Sequence, residues 1–450
     1  MKRLLLLFLF YCLYIPKPVS ANSINWKTLA DNPDFLHRAI KEITDVMVHD
    51  VYSPPVASRT YAYISIAAYE AARQTNSNYL SLAGQLQQLT FFNEPDPKKQ
   101  YSFSLAAINA VLLVGKTMVI SEGTIEDFRK KILAELAATG MPAQVFDNSV
   151  DYGKQIADHV LAWAAKDNYK QTRSLPKYTV ADDNETWKPT APSYMKAVEP
   201  YWNKIRTFAV DSATQFKPLP CTIFSADTNS KFYKEALEVQ TTGLHLTGEQ
   251  IQIANFWDCN PFKMNINGHL MYASKKISPG GHWINITRLV CRKTHADLAR
   301  SAEAYAWLSV AIADAFISCW DEKYRSRVIR PETYINRYIS QDWVPLLQTP
   351  PFPEYTSGHS VVSAASSVVL TRLFGEQFEY TDSTETEFDI PVRHFTSFSQ
   401  ASAEAAISRL YGGIHYMPAI RNGMLEGAAI GKFVSAKLKT RKMVEPKKRS

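Results

Sequence analysis

Apolar residues recur at three- and four-residue spacing along most of this chain. The pattern predicts helices near residues 36–50, 57–74, 102–119, 124–138 and 147–166. It resumes near 247–257, 293–321, 359–374, 400–410 and 418–438. In the 293–321 segment, Ala304, Leu308, Ala311, Ala315 and Cys319 form one apolar stripe. Pro54-Pro55 separates the first two helices, because proline does not continue a helix interior. Residues 168–235 lack the helical period and are rich in Pro, Asp, Asn, Thr and Tyr, which predicts a long irregular cover over the helices. Gly423, Gly427 and Gly431 lie four apart in the last helix and predict a tight packing seam. Strand signals are sparse. The expected fold class is all-α, one large helical bundle over residues 22–436.

The ends read differently from the body. Met1-Lys2-Arg3 precedes the apolar run Leu4–Ile15, and Val19-Ser20-Ala21 fits a cleavage site. Residues 1–21 therefore read as a signal peptide, with Asn22 the mature N-terminus and an exported, periplasmic or secreted product. The run is too short to span a bilayer, and no other stretch reaches the needed length, so no stable membrane span is expected. Residues 437–450 form a basic tail, with seven cations against Glu445, and read as a solvated end.

Composition changes this picture little. The chain has 450 residues, 46% hydrophobic, enough for a full core without staples. The formal charge of +7 belongs to the ends: without the leader's three cations and the tail, 40 basic and 42 acidic residues remain. A nucleic-acid-binding face is thereby not indicated. Cys221, Cys259, Cys291 and Cys319 are too widely spaced for a zinc motif, and both disulfides and buried free thiols remain open. Oligomeric state is not readable.

Candidate chemistry lies in three clusters. Lys323 and Arg330-Pro331 follow the long helix. Pro351-Phe352-Pro353-Glu354-Tyr355-Thr356-Ser357-Gly358-His359 opens the next. Ser408-Arg409 leads through Gly412-Gly413 to His415. Lys323, Arg330 and Arg409, if they converge, need a multiply charged oxyanion. Ser357 and Gly358 add a hydroxyl and helix-start N–H groups, and glycine lets backbone approach an anion closely. His359 and His415 can bind or attack a central atom and move protons.

These clusters, in this order, resemble the signature of the vanadium haloperoxidase and type 2 phosphatidic acid phosphatase superfamily, over residues 323–415. The resemblance implies vanadate or phosphate held by Lys323, Arg330, Arg409, Ser357 and the Gly358 backbone. It makes His415 the axial vanadium ligand, or the nucleophile of a phosphatase, and His359 the acid–base group. Lys323 would also polarise bound peroxide. Phe352 matches the phenylalanine of fungal-type chloroperoxidases, where algal bromoperoxidases carry histidine. The leading expectation is an exported haloperoxidase-like enzyme that oxidises halide with hydrogen peroxide at vanadate. The alternatives are a secreted phosphatase acting on a phosphate monoester without a cofactor, and a non-catalytic oxyanion-binding protein. One position departs from the family: Ala419 stands where many members carry an aspartate to orient the last histidine. Asp258 is a candidate carboxylate behind one of the arginines, and the Lys275–Trp283 segment, with His282, a candidate for the pocket lining.

Overall fold

The computed structural model describes residues 25–267 and 269–442, so the leader and residues 443–450 lie outside the described residues. The longer helices are α1 (Asp34–His49), α2 (Pro54–Ala72), α3 (Phe103–Met118), α4 (Glu122–Ala137), α5 (Ala143–Ala164), α6 (Lys231–Leu244) and α7 (Gly248–Phe256). They continue with α8 (Pro279–Lys293), α9 (Leu298–Ser326), α10 (Pro331–Tyr338), α11 (Gly358–Phe374), α12 (Phe398–Tyr411) and α13 (Met417–Lys437). Two small antiparallel hairpins interrupt them: β1 (Met264–Asn267) with β2 (Leu270–Ala273), and β3 (Tyr380–Asp382) with β4 (Arg393–Phe395). The all-α class is as the periodicity predicts.

The 29-residue helix α9 is the axis of the molecule. It packs along α2 on one side and against α11 and α13 on the other. By length and composition α9 is apolar enough to cross a membrane, yet its apolar stretch lies wholly inside the fold. Helices α2, α3 and α5 pack on each other, while α11 packs between α12 and α13. The glycine seam is real: a Cβ on Gly427 of α13 would lie 2.0 Å from the Val361 carbonyl oxygen of α11.

Pro54 and Pro55 do more than separate helices. They form the first turn of α2, capped by Ser53, where missing N–H groups cost nothing. Three helices are absent from the sequence pattern: α6, α8 and α10. Helix α8 begins Pro279-Gly280-Gly281, which reads as a loop, but Ser278 caps it and a Cβ on Gly281 would lie 2.7 Å from the Tyr61 hydroxyl. Glycine there admits a neighbour, not a turn.

The irregular cover is held down by specific polar anchors. Buried Asp314 of α9 accepts the N–H groups of Phe208, Ala209 and Val210 at 2.7, 2.7 and 3.0 Å. Near the site, Trp187 N–H donates to Arg327 O at 2.8 Å and Val198 N–H to Pro351 O at 3.1 Å. The first part of the basic tail is not a solvated end. Thr440 and Arg441 both donate to buried Glu303, at 2.6 and 2.7 Å, which ties the chain end to α9. All four cysteines among the described residues are free thiols.

Candidate active site

Segment 350–357 is the centre of the site. Its prolines Pro350, Pro351 and Pro353 have no N–H, so it joins no regular ladder and its carbonyls stay available. Two buried cations take them. Arg330 Nε donates to Phe352 O at 2.9 Å, and Lys323 Nζ to the carbonyls of Pro353, Glu354 and Thr356 at 3.0, 3.0 and 2.5 Å. The spacing from Lys323 to Arg330 spans the end of α9, a left-handed Arg327, and the start of α10, where Pro331 occupies the first turn. This places both cations over the Phe352 ring, with Nζ at 5.2 Å and Cζ at 5.1 Å from its centroid. Phe352 is thus their shared aromatic floor.

His415 follows the Gly412-Gly413 turn after α12. Its Nδ1 lies 2.8 Å from Glu354 Oε1, and its Nε2 lies 3.2 Å from an Arg330 guanidinium nitrogen. A guanidinium only donates, so Nε2 presents its lone pair on the Arg330 side and Nδ1 carries the proton towards Glu354. Glu354 Oε1 also accepts the Tyr416 N–H at 3.0 Å. Position 419 contributes backbone instead of a carboxylate. The Ala419 carbonyl accepts the Ser357 N–H at 3.1 Å, beside the start of α11. The orienting carboxylate of this chain is therefore Glu354, 61 residues before the histidine.

Arg409, in the last turn of α12, donates to Trp257 O at 2.7 Å and Ser408 Oγ at 2.9 Å. Ser357 caps α11 by accepting the Ser360 N–H at 3.3 Å. Gly358 and His359 open that helix, and His359 Nε2 is buried without a hydrogen-bond partner among the described residues. One cavity is lined by Gly358, His359, Arg409, His415, Phe352 and Asp258. Lys323, Arg330 and Ser357 adjoin the lining residues Phe352, His415 and Gly358, and Arg330 Nη2 is a buried donor without a hydrogen-bond partner among the described residues.

Burial dominates the electrostatics. It pushes Lys323 down to about 8 and Arg330 and Arg409 each down to about 10. It pushes Glu354 up to about 7, against the pull of Arg330 and Lys323. Burial and then Arg409 hold His359 well below its ordinary value, while burial and then Arg330 do so for His415. Both imidazoles are neutral in this field. Three desolvated cations face few carboxylates, an arrangement that favours an incoming anion.

Two expectations need correction. His282 does not line the cavity. It is fully buried, stacked on Trp257 at 4.5 Å and held by Asp382 at 2.8 Å. Asp258 lines the cavity but pairs with Lys276 at 3.0 Å and Lys263 at 3.4 Å; only its charge reaches Arg409. The two lysines take its carboxylate, while the Arg409 guanidinium is directed at the Trp257 carbonyl.

A family of helical oxyanion enzymes fits this fold and site, and comparison with known proteins gives the same answer. Residues 303–443 match the description "VCPO second helical-bundle domain". The solved structure of a bacterial vanadium-dependent iodoperoxidase is similar at 50% identity and a TM-score of 0.87, with 92% of this chain and 99% of that one covered. A holo-type bacterial vanadium-dependent chloroperoxidase shares the fold at 14% identity and a TM-score of 0.67, over 86% of this chain and 93% of that one. No curated protein sequence matches the chain. The chain belongs to the vanadium-dependent haloperoxidase family.

Proposed function

We propose that this chain is a vanadate-dependent haloperoxidase, converting hydrogen peroxide, halide and a proton into hypohalous acid and water. The observation that carries the reading is His415, whose Nδ1 is fixed by Glu354 so that Nε2 offers a lone pair beside Arg330. The donor set fits vanadate. His415 Nε2 would bind the metal; Arg330, Arg409 and Ser357 would donate to its oxygens with the Gly358 N–H, and Lys323 would add charge. Bound vanadate supplies the Lewis-acidic centre at which peroxide becomes an oxidant of halide.

The chain's own residues do the rest. Glu354 holds the imidazole tautomer and raises its basicity. His359, neutral in this field, keeps a buried Nε2 free to take and return the proton each turnover needs. Arg330 and Arg409 are preorganised on carbonyls and supply charge without reorganisation. Iodide is the halide to test first, since the relative at 50% identity is described as an iodoperoxidase. Export of the mature chain from Asn22 is part of the same proposal and rests on the leader sequence.

The test is reconstitution of purified protein with vanadate, followed by oxidation rates for iodide, bromide and chloride, with hydrolysis of a phosphate monoester measured in parallel. Vanadate-dependent iodide oxidation supports the proposal. Phosphate release without halide oxidation replaces it with a phosphatase, and vanadate binding with neither activity replaces it with an oxyanion-binding protein.

A further inference from the structure

Behind the cavity wall lies a second buried cluster, and the proposed peroxidase chemistry does not use it. Cys259, just after α7, is buried and is among the residues lining the cavity. His282 sits in the first turn of α8. Glu385 follows β3. Cys259 Sγ is 3.4 Å from His282 Nδ1, and Glu385 Oε1 is 3.1 Å from the same nitrogen. The three atoms all lie within 4.8 Å of one another.

The other ring nitrogen decides what these atoms share. His282 Nε2 is 2.8 Å from Asp382 Oδ2, a carboxylate that only accepts, so the ring proton belongs on Nε2. A metal ion in place of a proton on Nδ1 would there meet a sulfur and a carboxylate oxygen as well. Glu385 Oε1 is buried and makes no hydrogen bond among the described residues despite its closeness to Nδ1. A thiol proton serves one of these contacts at most. A cation satisfies all three donors at once.

We propose that Cys259, His282 and Glu385 bind a divalent transition-metal ion, zinc by its donor set. Sulfur, imidazole nitrogen and carboxylate oxygen are the ligands zinc takes in tetrahedral sites. Zinc bond lengths of about 2.3, 2.0 and 2.1 Å at tetrahedral angles place sulfur and nitrogen about 3.5 Å apart and nitrogen and oxygen about 3.4 Å apart. The observed separations are 3.4 and 3.1 Å. Asp382 on Nε2, itself held by the Thr384 hydroxyl at 2.7 Å, is the outer partner that fixes a metal-binding imidazole. A water completes the fourth position. The ion clips α7, α8 and the β3–β4 hairpin together. It also steadies the turn at Trp257–Cys259, whose Trp257 carbonyl receives Arg409.

The inference is independent of the peroxidase reading, and its test reads metal rather than turnover. Full-length protein, purified without chelator and without added vanadate, is analysed by plasma mass spectrometry for zinc. A stripped sample is titrated with Co2+ and the thiolate-to-cobalt charge-transfer band recorded. About one zinc per chain and a stoichiometric cobalt band are expected. Both are lost in Cys259→Ser and in Glu385→Gln, and both are kept in Cys291→Ser. Because a core variant is prone to misfold, Cys259 alkylation in the unaltered protein gives a second measure: bound zinc protects the thiol and chelation exposes it. Protein that carries no zinc and develops no cobalt band overturns the proposal, as does Glu385→Gln with unchanged metal content.

Discussion

Glu354 and His415 stand 2.8 Å apart, carboxylate oxygen to Nδ1, and both are buried. This pair links the proline-rich strap to the turn after α12, and so joins two of the three signature clusters. It also answers the concern raised by Ala419, since the carboxylate is present and only its position in the chain differs.

The first prediction concerns that pair. Glu354→Gln keeps the shape but removes the charge that fixes the imidazole. Vanadate affinity should fall about 10- to 100-fold, the usual cost of losing an outer partner of a metal ligand. Vanadate titration of folded protein checks this. Affinity equal to the parent's would show that Glu354 does not orient His415.

The cations are the next test. Arg409→Ala removes charge-assisted hydrogen bonds worth about 1.5–3 kcal/mol, so vanadate or phosphate should bind about ten- to a hundredfold more weakly. Arg330→Ala and Lys323→Ala should show the same loss. Lys323→Ala also leaves three buried carbonyls of segment 350–357 unpaired, more than Arg409→Ala does, so its melting temperature should drop further. Unchanged anion affinity in all three would place the anion site elsewhere.

Much of this site is legible in the sequence because its chemistry is local. The Lys323–Arg330 spacing, the Ser357-Gly358-His359 helix start and the Arg409–His415 turn each occupy one short segment. Glu354 is in plain view inside the second segment, but its role depends on a partner 61 residues away, and no period or spacing reports such a contact. His282 shows the same effect in reverse. Its determining neighbours, Asp382 and Glu385, are about a hundred residues distant, so its glycine-rich, basic context reads as a loop. Helix α8 is hidden by Gly280 and Gly281, which serve close packing rather than a turn.

Stability should report the buried carboxyl of Glu426. Ser318 and Thr356 donate to it at 2.8 and 2.7 Å, yet burial pushes it up from 4.5 to about 7. A carboxyl raised in the folded state binds more protons there than in the unfolded chain. Its effect is therefore to lower stability as pH rises from about 4.5 to about 7, with no further change above. Glu426→Gln stays neutral throughout. Relative to the parent, its melting temperature should climb across that window and then level off. A difference that is flat with pH would mean the carboxyl does not titrate there.

The helix seam makes a steric prediction. Gly427→Ala sets a Cβ against backbone, 2.0 Å from Val361 O and 2.7 Å from its carbonyl carbon. Backbone does not swing aside as a side chain does, so α11 and α13 must separate, at a cost of about 1–3 kcal/mol or more. Gly123→Ala in α4 meets nothing within 4 Å and should leave stability within about 1 kcal/mol of the parent. Thermal unfolding of the two variants side by side checks the contrast. Since His359 begins α11, anion binding should weaken in Gly427→Ala and not in Gly123→Ala.

The two histidines should fail differently. His415 presents the only imidazole lone pair fixed by a carboxylate among the described residues lining the cavity, whereas His359 has a free Nε2 and no such partner. His415→Ala should loosen vanadate and abolish halide oxidation together. His359→Ala should leave vanadate bound and lower turnover by about 10²–10⁴-fold, the usual contribution of a positioned acid–base group. The low proton affinity of His359, set by burial and then Arg409, adds a pH signature: its loss should change the rate profile more than the binding profile. Vanadate titration and steady-state rates with peroxide and iodide, on the same preparations, separate the cases. Equal vanadate affinity in the two variants would remove His415 as the metal ligand, and full activity in His359→Ala would leave that residue a helix-start histidine and nothing more.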